Sequence, residues 1–198
     1  MQPLCYVINF LAKWFFMIEK YLQIQDGISE FIGRIIAWLA IVLILTLVYE
    51  VVSRYFFNSP TIWSHELSSM IFGAFAILSG SYTLKHLGHV RSDVIYLLFP
   101  RKLQRLCDVL VYTIGIFVLV IFLVQAIEFA QKSWMLKEVS ARSIWQPPLY
   151  YIKSIIPIAV ILLILQSFAE LVRAVLGFLN VSYVDPRQSE AISEDEHV

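Results

Sequence analysis

The sequence predicts an all-α integral membrane protein, with four transmembrane helices preceded by an N-terminal amphipathic helix lying in the membrane interface. Composition is the first reason. Of 198 residues, 59% are hydrophobic and only 15% charged, with a mean hydropathy of +0.74, against roughly 45–50% apolar content in soluble domains. Length is the second. Crossing a hydrocarbon core about 30 Å thick takes roughly 20 apolar residues as a helix, because lipid offers no partner to an unpaired backbone group, and four stretches meet that requirement. The formal net charge is zero, so no bulk field directs the chain toward nucleic acid or an acidic ligand; charge matters by position.

Residues 1–25 keep helical spacing of apolar side chains (Leu4, Val7, Ile8, Leu11, Trp14, Phe15, Ile18, Tyr21, Leu22), with Asn9, Lys13, Lys20 and Gln23 on the other side, which describes an interfacial helix. A secretory signal peptide is the rival, but the start lacks a basic segment and no small-x-small cleavage site follows. Asp26 and Gly27 predict a break before the transmembrane domain, 26–178. Its spans are expected over 33–52, 67–84, 106–127 and 155–176. The second is the least apolar, with Ser68, Ser69, Gly73, Ser79, Gly80, Ser81 and Thr83 along it; small and hydroxylated residues let helices approach closely, so this span is expected to be the buried one. Residues 179–198 form a polar tail that ends Ser193-Glu194-Asp195-Glu196 and has the composition of a disordered segment. Cys5 and Cys107 fall in separate apolar segments without C-x-x-C spacing, which predicts neither a disulfide nor a metal site.

The loop after the second span carries Lys85, Arg91, Arg101, Lys102 and Arg105. The positive-inside rule places it, and with it both termini, in the cytoplasm. The bias is modest, because Arg54, Lys132, Lys137, Arg142 and Lys153 fall on the other side. There, Trp134, Trp145, Tyr150 and Tyr151 suit an interfacial aromatic belt, and Pro147-Pro148 blocks helix until the fourth span, leaving a short, partly ordered external cap.

An ionisable residue inside a span is the default candidate for function. Glu50 sits one turn before Arg54 and can pair with it at (i, i+4). Glu128 and Glu170 fall close to span ends, and Gln125 and Gln166 are read as helix-contact residues. Nothing charged is expected near a midplane, where a self-sufficient antiporter would need a carboxylate. A haem-binding or purely structural anchor subunit of another inner-membrane complex is the alternative, but His65, His86, His89 and His197 lie at span boundaries, in a loop or in the tail rather than inside helices. His86, His89 and Asp93 make a weak metal pattern without a fourth ligand. No nucleophile, metalloprotease, phosphate-loop or dinucleotide motif occurs. The expectation is a non-enzyme without cofactor.

The turn between the first two spans reads Arg54-Tyr55-Phe56-Phe57-Asn58-Ser59-Pro60-Thr61-Ile62-Trp63-Ser64-His65-Glu66. Asn58 tolerates the left-handed conformation that ends a helix, Pro60 prevents continuation, Ser64 is a good N-cap, and Glu66 suits the positive first turn. Arg54 and Glu66 lie on opposite arms and are expected to pair. This R-Y-x-x-N-x(4)-W-x-x-E pattern resembles the small membrane subunit of the tripartite ATP-independent periplasmic (TRAP) transporters, the DctQ-like family. Gly73 and Gly80, followed by Gly88-His89-Val90-Arg91-Ser92-Asp93-Val94, resemble the family's G-H-V-x-x-D-x stretch. The four-span order, the basic second loop and the Trp-Pro segment before the fourth span match as well, so the similarity runs from about Ile28 to Leu176.

The resemblance implies a sodium-driven secondary transporter for small organic acids in which a periplasmic substrate-binding protein and a large permease subunit are the partners. In that arrangement this chain would brace the large subunit in membrane lipid. Arg54, Tyr55, Asn58, Trp63, Glu66, Gly73, Gly80, His89 and Asp93 are then expected as structural or interface residues, none catalytic; the competing expectation is that each only caps or anchors its own helix.

Overall fold

The computed structural model describes residues 2–86 and 99–179. Among them are four helices long and apolar enough to cross a membrane: α1 (Gln2–Phe56), α2 (Ser64–Lys85), α3 (Arg101–Met135) and α4 (Leu149–Phe178). Each contains one expected span and extends beyond it, because the polar residues flanking each apolar stretch are themselves helix formers.

One expected boundary is absent. No break occurs at Asp26-Gly27, and no separate interfacial helix precedes the first span: α1 is continuous over 55 residues, about 80 Å at 1.5 Å per residue. A single Gly costs a helix interior only about 1 kcal/mol, and tertiary contacts on both sides of this one offset that cost. Leu22, Gln25, Ser29, Ile32 and Ile36 are all buried, at the three- and four-residue steps that place them on one face.

α1 and α2 form an antiparallel pair. Glu30 meets Lys85 at one end, and Ser64 donates to the Thr46 carbonyl near the other. The Tyr82 ring packs directly on the α1 backbone at Gly33, where an added Cβ would lie 2.4 Å from it. α3 and α4 form the second pair, and α4 also packs against α2 and α1. The expectation that the second span is the most buried needs correction. In the most apolar window of each helix, 33% of α4 is buried, against 22% of α2 and none of α3. α4 takes the centre because Ala159, Val160, Gln166, Ser167, Ala169 and Glu170 line contacts on more than one side. α3 touches little besides α4 and presents its remaining circumference outward.

Candidate functional site

Polar contacts concentrate at the two ends of the bundle. At the end formed by residues 57–63 and 136–148, α1 stops as the turn chemistry requires. Asn58 is left-handed, with φ 50°, and Ser53 and Ser59 exchange bonds, Ser59 N–H to the Ser53 carbonyl at 3.0 Å and Ser53 Oγ to the Ser59 carbonyl at 2.6 Å. Glu50 gathers this turn. Its carboxylate accepts from Arg54 Nε at 3.0 Å and Nη2 at 2.5 Å, from the Thr61 N–H at 3.2 Å and from the Thr61 hydroxyl. Tyr49 stacks on Trp63 with ring centroids 5.7 Å apart.

Two expectations fail here for one reason. Ser64 is not the N-cap of α2: it is the first helical residue, almost wholly buried, and its hydroxyl turns to α1. Nor does Arg54 pair with Glu66, because Glu66 is claimed by the loop between α3 and α4. Its two oxygens accept from Ser140 Oγ at 2.5 Å and Ser143 Oγ at 2.7 Å. Each serine oxygen in turn accepts from the N–H two residues on, Arg142 and Trp145, both at 3.2 Å. Such hydroxyl turns pre-organise a donor, and here they aim two donors at one carboxylate.

The loop is otherwise tied to its own helices. α3 ends in a Schellman motif with Lys137 left-handed (φ 46°), where Glu138 N–H reaches the Ser133 carbonyl at 3.1 Å and Lys137 N–H the Trp134 carbonyl at 3.3 Å. Ser140 N–H donates to the Pro147 carbonyl and Leu149 N–H to the Glu138 carbonyl; helix resumes after Pro148. Of the expected aromatic belt, Trp134, Tyr150 and Tyr151 cluster with centroids 4.3–5.6 Å apart, and Lys137 sits over two of these rings.

Lys153 donates to Glu138 at 2.5 Å, and this bond holds the Glu138 carboxyl below the ordinary glutamate range. A lowered carboxyl contributes stability that is complete above the ordinary value and is lost as pH falls through the lowered one. The loop is therefore expected to stay closed at neutral pH and to loosen only as pH falls below the ordinary glutamate range, read as a change in Trp134 fluorescence that Glu138→Gln removes.

At the other end of the bundle, α1 and α4 are joined by a chain of four side-chain bonds that the sequence reading did not find. Ser29 Oγ donates to Gln166 Oε1 at 2.8 Å, and Gln166 Nε2 donates to Glu170 Oε1 at 3.2 Å. Arg173 then bridges Glu170 (2.6 Å) and Asp26 (2.5 Å). Ser29 and Gln166 are fully buried, Glu170 is 4% exposed and the Arg173 side chain 7%. The signal was available: Gln166, Glu170 and Arg173 are spaced i, i+4, i+7, one polar stripe on an apolar helix. Nearby, Lys85 donates to Glu30 at 2.8 Å, with the His86 ring 3.6 Å from the same oxygen and packed on Tyr82.

The expected interface residues thus divide. Arg54, Asn58, Trp63 and Glu66 gather at the turn end, where Tyr55 is 78% exposed. Gly80 is packed inside, its would-be Cβ 3.7 Å from Leu163 of α4, whereas a Cβ at Gly73 would meet nothing within 4 Å. His89 and Asp93 lie outside the described residues.

The model of the family described as "Tripartite ATP-independent periplasmic transporters, DctQ component" matches residues 43–177. A stretch of 86 residues, 41% of this chain, is 29% identical to the sialic acid TRAP transporter permease protein SiaT of Haemophilus influenzae (strain 86-028NP). That stretch covers 14% of the relative's length.

Proposed function

Because this chain belongs to the DctQ component family of tripartite ATP-independent periplasmic transporters, we propose that it is the small membrane subunit of such a transporter and braces a large permease. The transport cycle itself, sodium-driven and binding-protein-dependent uptake of organic acids, is carried by the large permease and a periplasmic substrate-binding protein. Both termini and the basic loop following α2 face the cytoplasm of the inner membrane, and the 57–63 and 136–148 segments face the periplasm.

The observation that carries this reading is how the buried charges are used. Among the described residues, Glu66, Lys85 and Glu170 are the buried charged ones, and each is bound to a side chain of its own chain. A polar group committed to a neighbouring helix stiffens the bundle and does not wait for a ligand. Stiffness without a substrate site is what a brace supplies. The large permease docks on the outer side of α2, where Gly73 leaves room for a close helix approach. Arg54, Tyr55 and Trp63 anchor that contact at the membrane boundary.

Gly73→Leu separates interface from fold. The side chain enters open space in the isolated chain, so the thermal stability of the purified subunit is expected to move by no more than about 1 kcal/mol. Recovery of the large permease with the tagged subunit, and uptake in proteoliposomes holding all three components, are expected to fall at least about tenfold, the equivalent of 1.4 kcal/mol of contact. Unchanged recovery and uptake would remove α2 as the docking face. Uptake by this chain alone would overturn the accessory role.

A further inference from the structure

α2 sets the thickness that the α1–α2 pair can span. Its 22 residues cover about 33 Å, close to one hydrocarbon core, and its last residue, Lys85, is tied to Glu30. The part of α1 before Glu30, another roughly 40 Å of helix, leaves α2 and runs against α4, where Tyr21 donates to the Leu165 carbonyl at 3.1 Å and packs on Phe168. This segment precedes residues 43–177, so the family match does not account for it.

Charge on this part of α1 is sorted by face. The side toward the bundle is buried through Leu22, Gln25, Ser29 and Ile32. Of the acids, Asp26 and Glu30 lie beside that face and are neutralised by Arg173 and Lys85, while Glu19, half-buried, lies between that face and the opposite one. The opposite side carries Lys13, Lys20 and Arg34, all exposed and joined to no ion pair among the described residues. They fall at multiples of seven residues, two helical turns, so they form one stripe with cations roughly 10 or 20 Å apart. Phe16, Phe31 and Trp38 share this side, 66%, 63% and 69% exposed. Exposed aromatic rings disfavour bulk water and uncompensated cations disfavour hydrocarbon. The headgroup layer of an anionic membrane satisfies both.

We propose that the outward face of α1 between Lys13 and Trp38 docks on anionic phospholipid headgroups of the leaflet at which α2 ends. Arg34, one turn inside Glu30, reaches that layer by snorkelling. The contact fixes the depth of α1 and, through it, of the four-helix bundle.

The test is amide hydrogen exchange over residues 13–30 of the full chain in nanodiscs of phosphatidylcholine alone and of phosphatidylcholine mixed with phosphatidylglycerol. Each cation near an anionic surface strengthens attachment about fivefold, so exchange is expected to be at least about tenfold slower in the anionic discs, with the difference shrinking at high salt. The triple variant Lys13→Gln, Lys20→Gln, Arg34→Gln is expected to lose the lipid dependence while exchange in α2 to α4 is unchanged. Equal exchange of the wild-type chain in the two lipids overturns the proposal, whatever the variant does. So does a lipid dependence that survives in the triple variant or is insensitive to salt. Protection that appears in both lipids only when another protein is added assigns the face to a protein partner and equally overturns it. None of these outcomes touches the accessory-subunit reading, which is tested by co-purification.

Discussion

Arg173→Gln is expected to destabilise the folded chain by about 3–5 kcal/mol, the usual loss when one partner of a buried ion pair is removed. Arg173 bonds both Asp26 and Glu170, and its side chain is 7% exposed. Without the guanidinium, the Asp26 and Glu170 carboxylates lose the cation they share across the α1–α4 contact, and Glu170, 4% exposed, has little access to water. The effect is expected as a drop in midpoint temperature of the detergent-solubilised subunit and as loosening of α1 before any change at the 57–63 turn. The companion variant Asp26→Asn, Glu170→Gln, Arg173→Met removes the charges together and is expected to recover most of the loss, because the larger part of the penalty is an unpaired charge rather than a missing bond. A single variant within about 1 kcal/mol of wild type would show that the network is hydrated and carries little.

Glu66→Ala is expected to release the 136–148 loop. The carboxylate is the shared acceptor for Ser140 and Ser143, and among the described side-chain bonds it is the link between that loop and the α1–α2 pair. Once it is removed, two hydroxyl groups oriented by their own backbone turns point at nothing. Cleavage within residues 136–148 by an added protease is expected to speed up about tenfold or more, since proteolysis follows the population of the opened segment. Glu66→Gln keeps an acceptor oxygen and is expected to fall between. Ser140→Ala and Ser143→Ala each remove one bond and are expected to give smaller, similar increases. Cleavage unchanged in Glu66→Ala would mean that the Schellman turn and the Glu138–Lys153 pair suffice to hold the loop. The 136–148 loop is proposed to face the periplasm, the side from which a binding protein delivers substrate, so the same variant is also expected to lower uptake while leaving recovery of the large permease intact, which separates it from Gly73→Leu.

Much of the turn end is legible in the chain itself. Asn58 before Pro60 predicts a helix stop with a left-handed residue, and the stop is there. Glu50 and Arg54 at four-residue spacing predict a pair, and it forms. Both are local, decided within a few residues by backbone sterics and helix geometry. The failures have the opposite character. Ser64 and Glu66 have the right types for an N-cap and for a cross-turn pair, yet each bonds a group far along the chain, and local preference gives way where a tertiary partner satisfies the same donor or acceptor. Gly27 reads as a helix breaker, but the buried face around it keeps α1 helical through it.

Composition and apolar run length determine that this chain has four helices long and apolar enough to cross a membrane among the described residues, and approximately where they lie, because a hydrocarbon layer admits only backbone that satisfies its own hydrogen bonds. Only the tertiary structure decides which of these helices is central, which serine meets which carboxylate, and that Ser29, Asp26, Gln166, Glu170 and Arg173 form one connected chain. The reason is physical: in a membrane, apolar surface gains nothing by choosing a neighbouring helix over lipid. The arrangement is therefore set by the few polar and small residues, whose partners are distant in the chain and appear only when the helices are placed side by side.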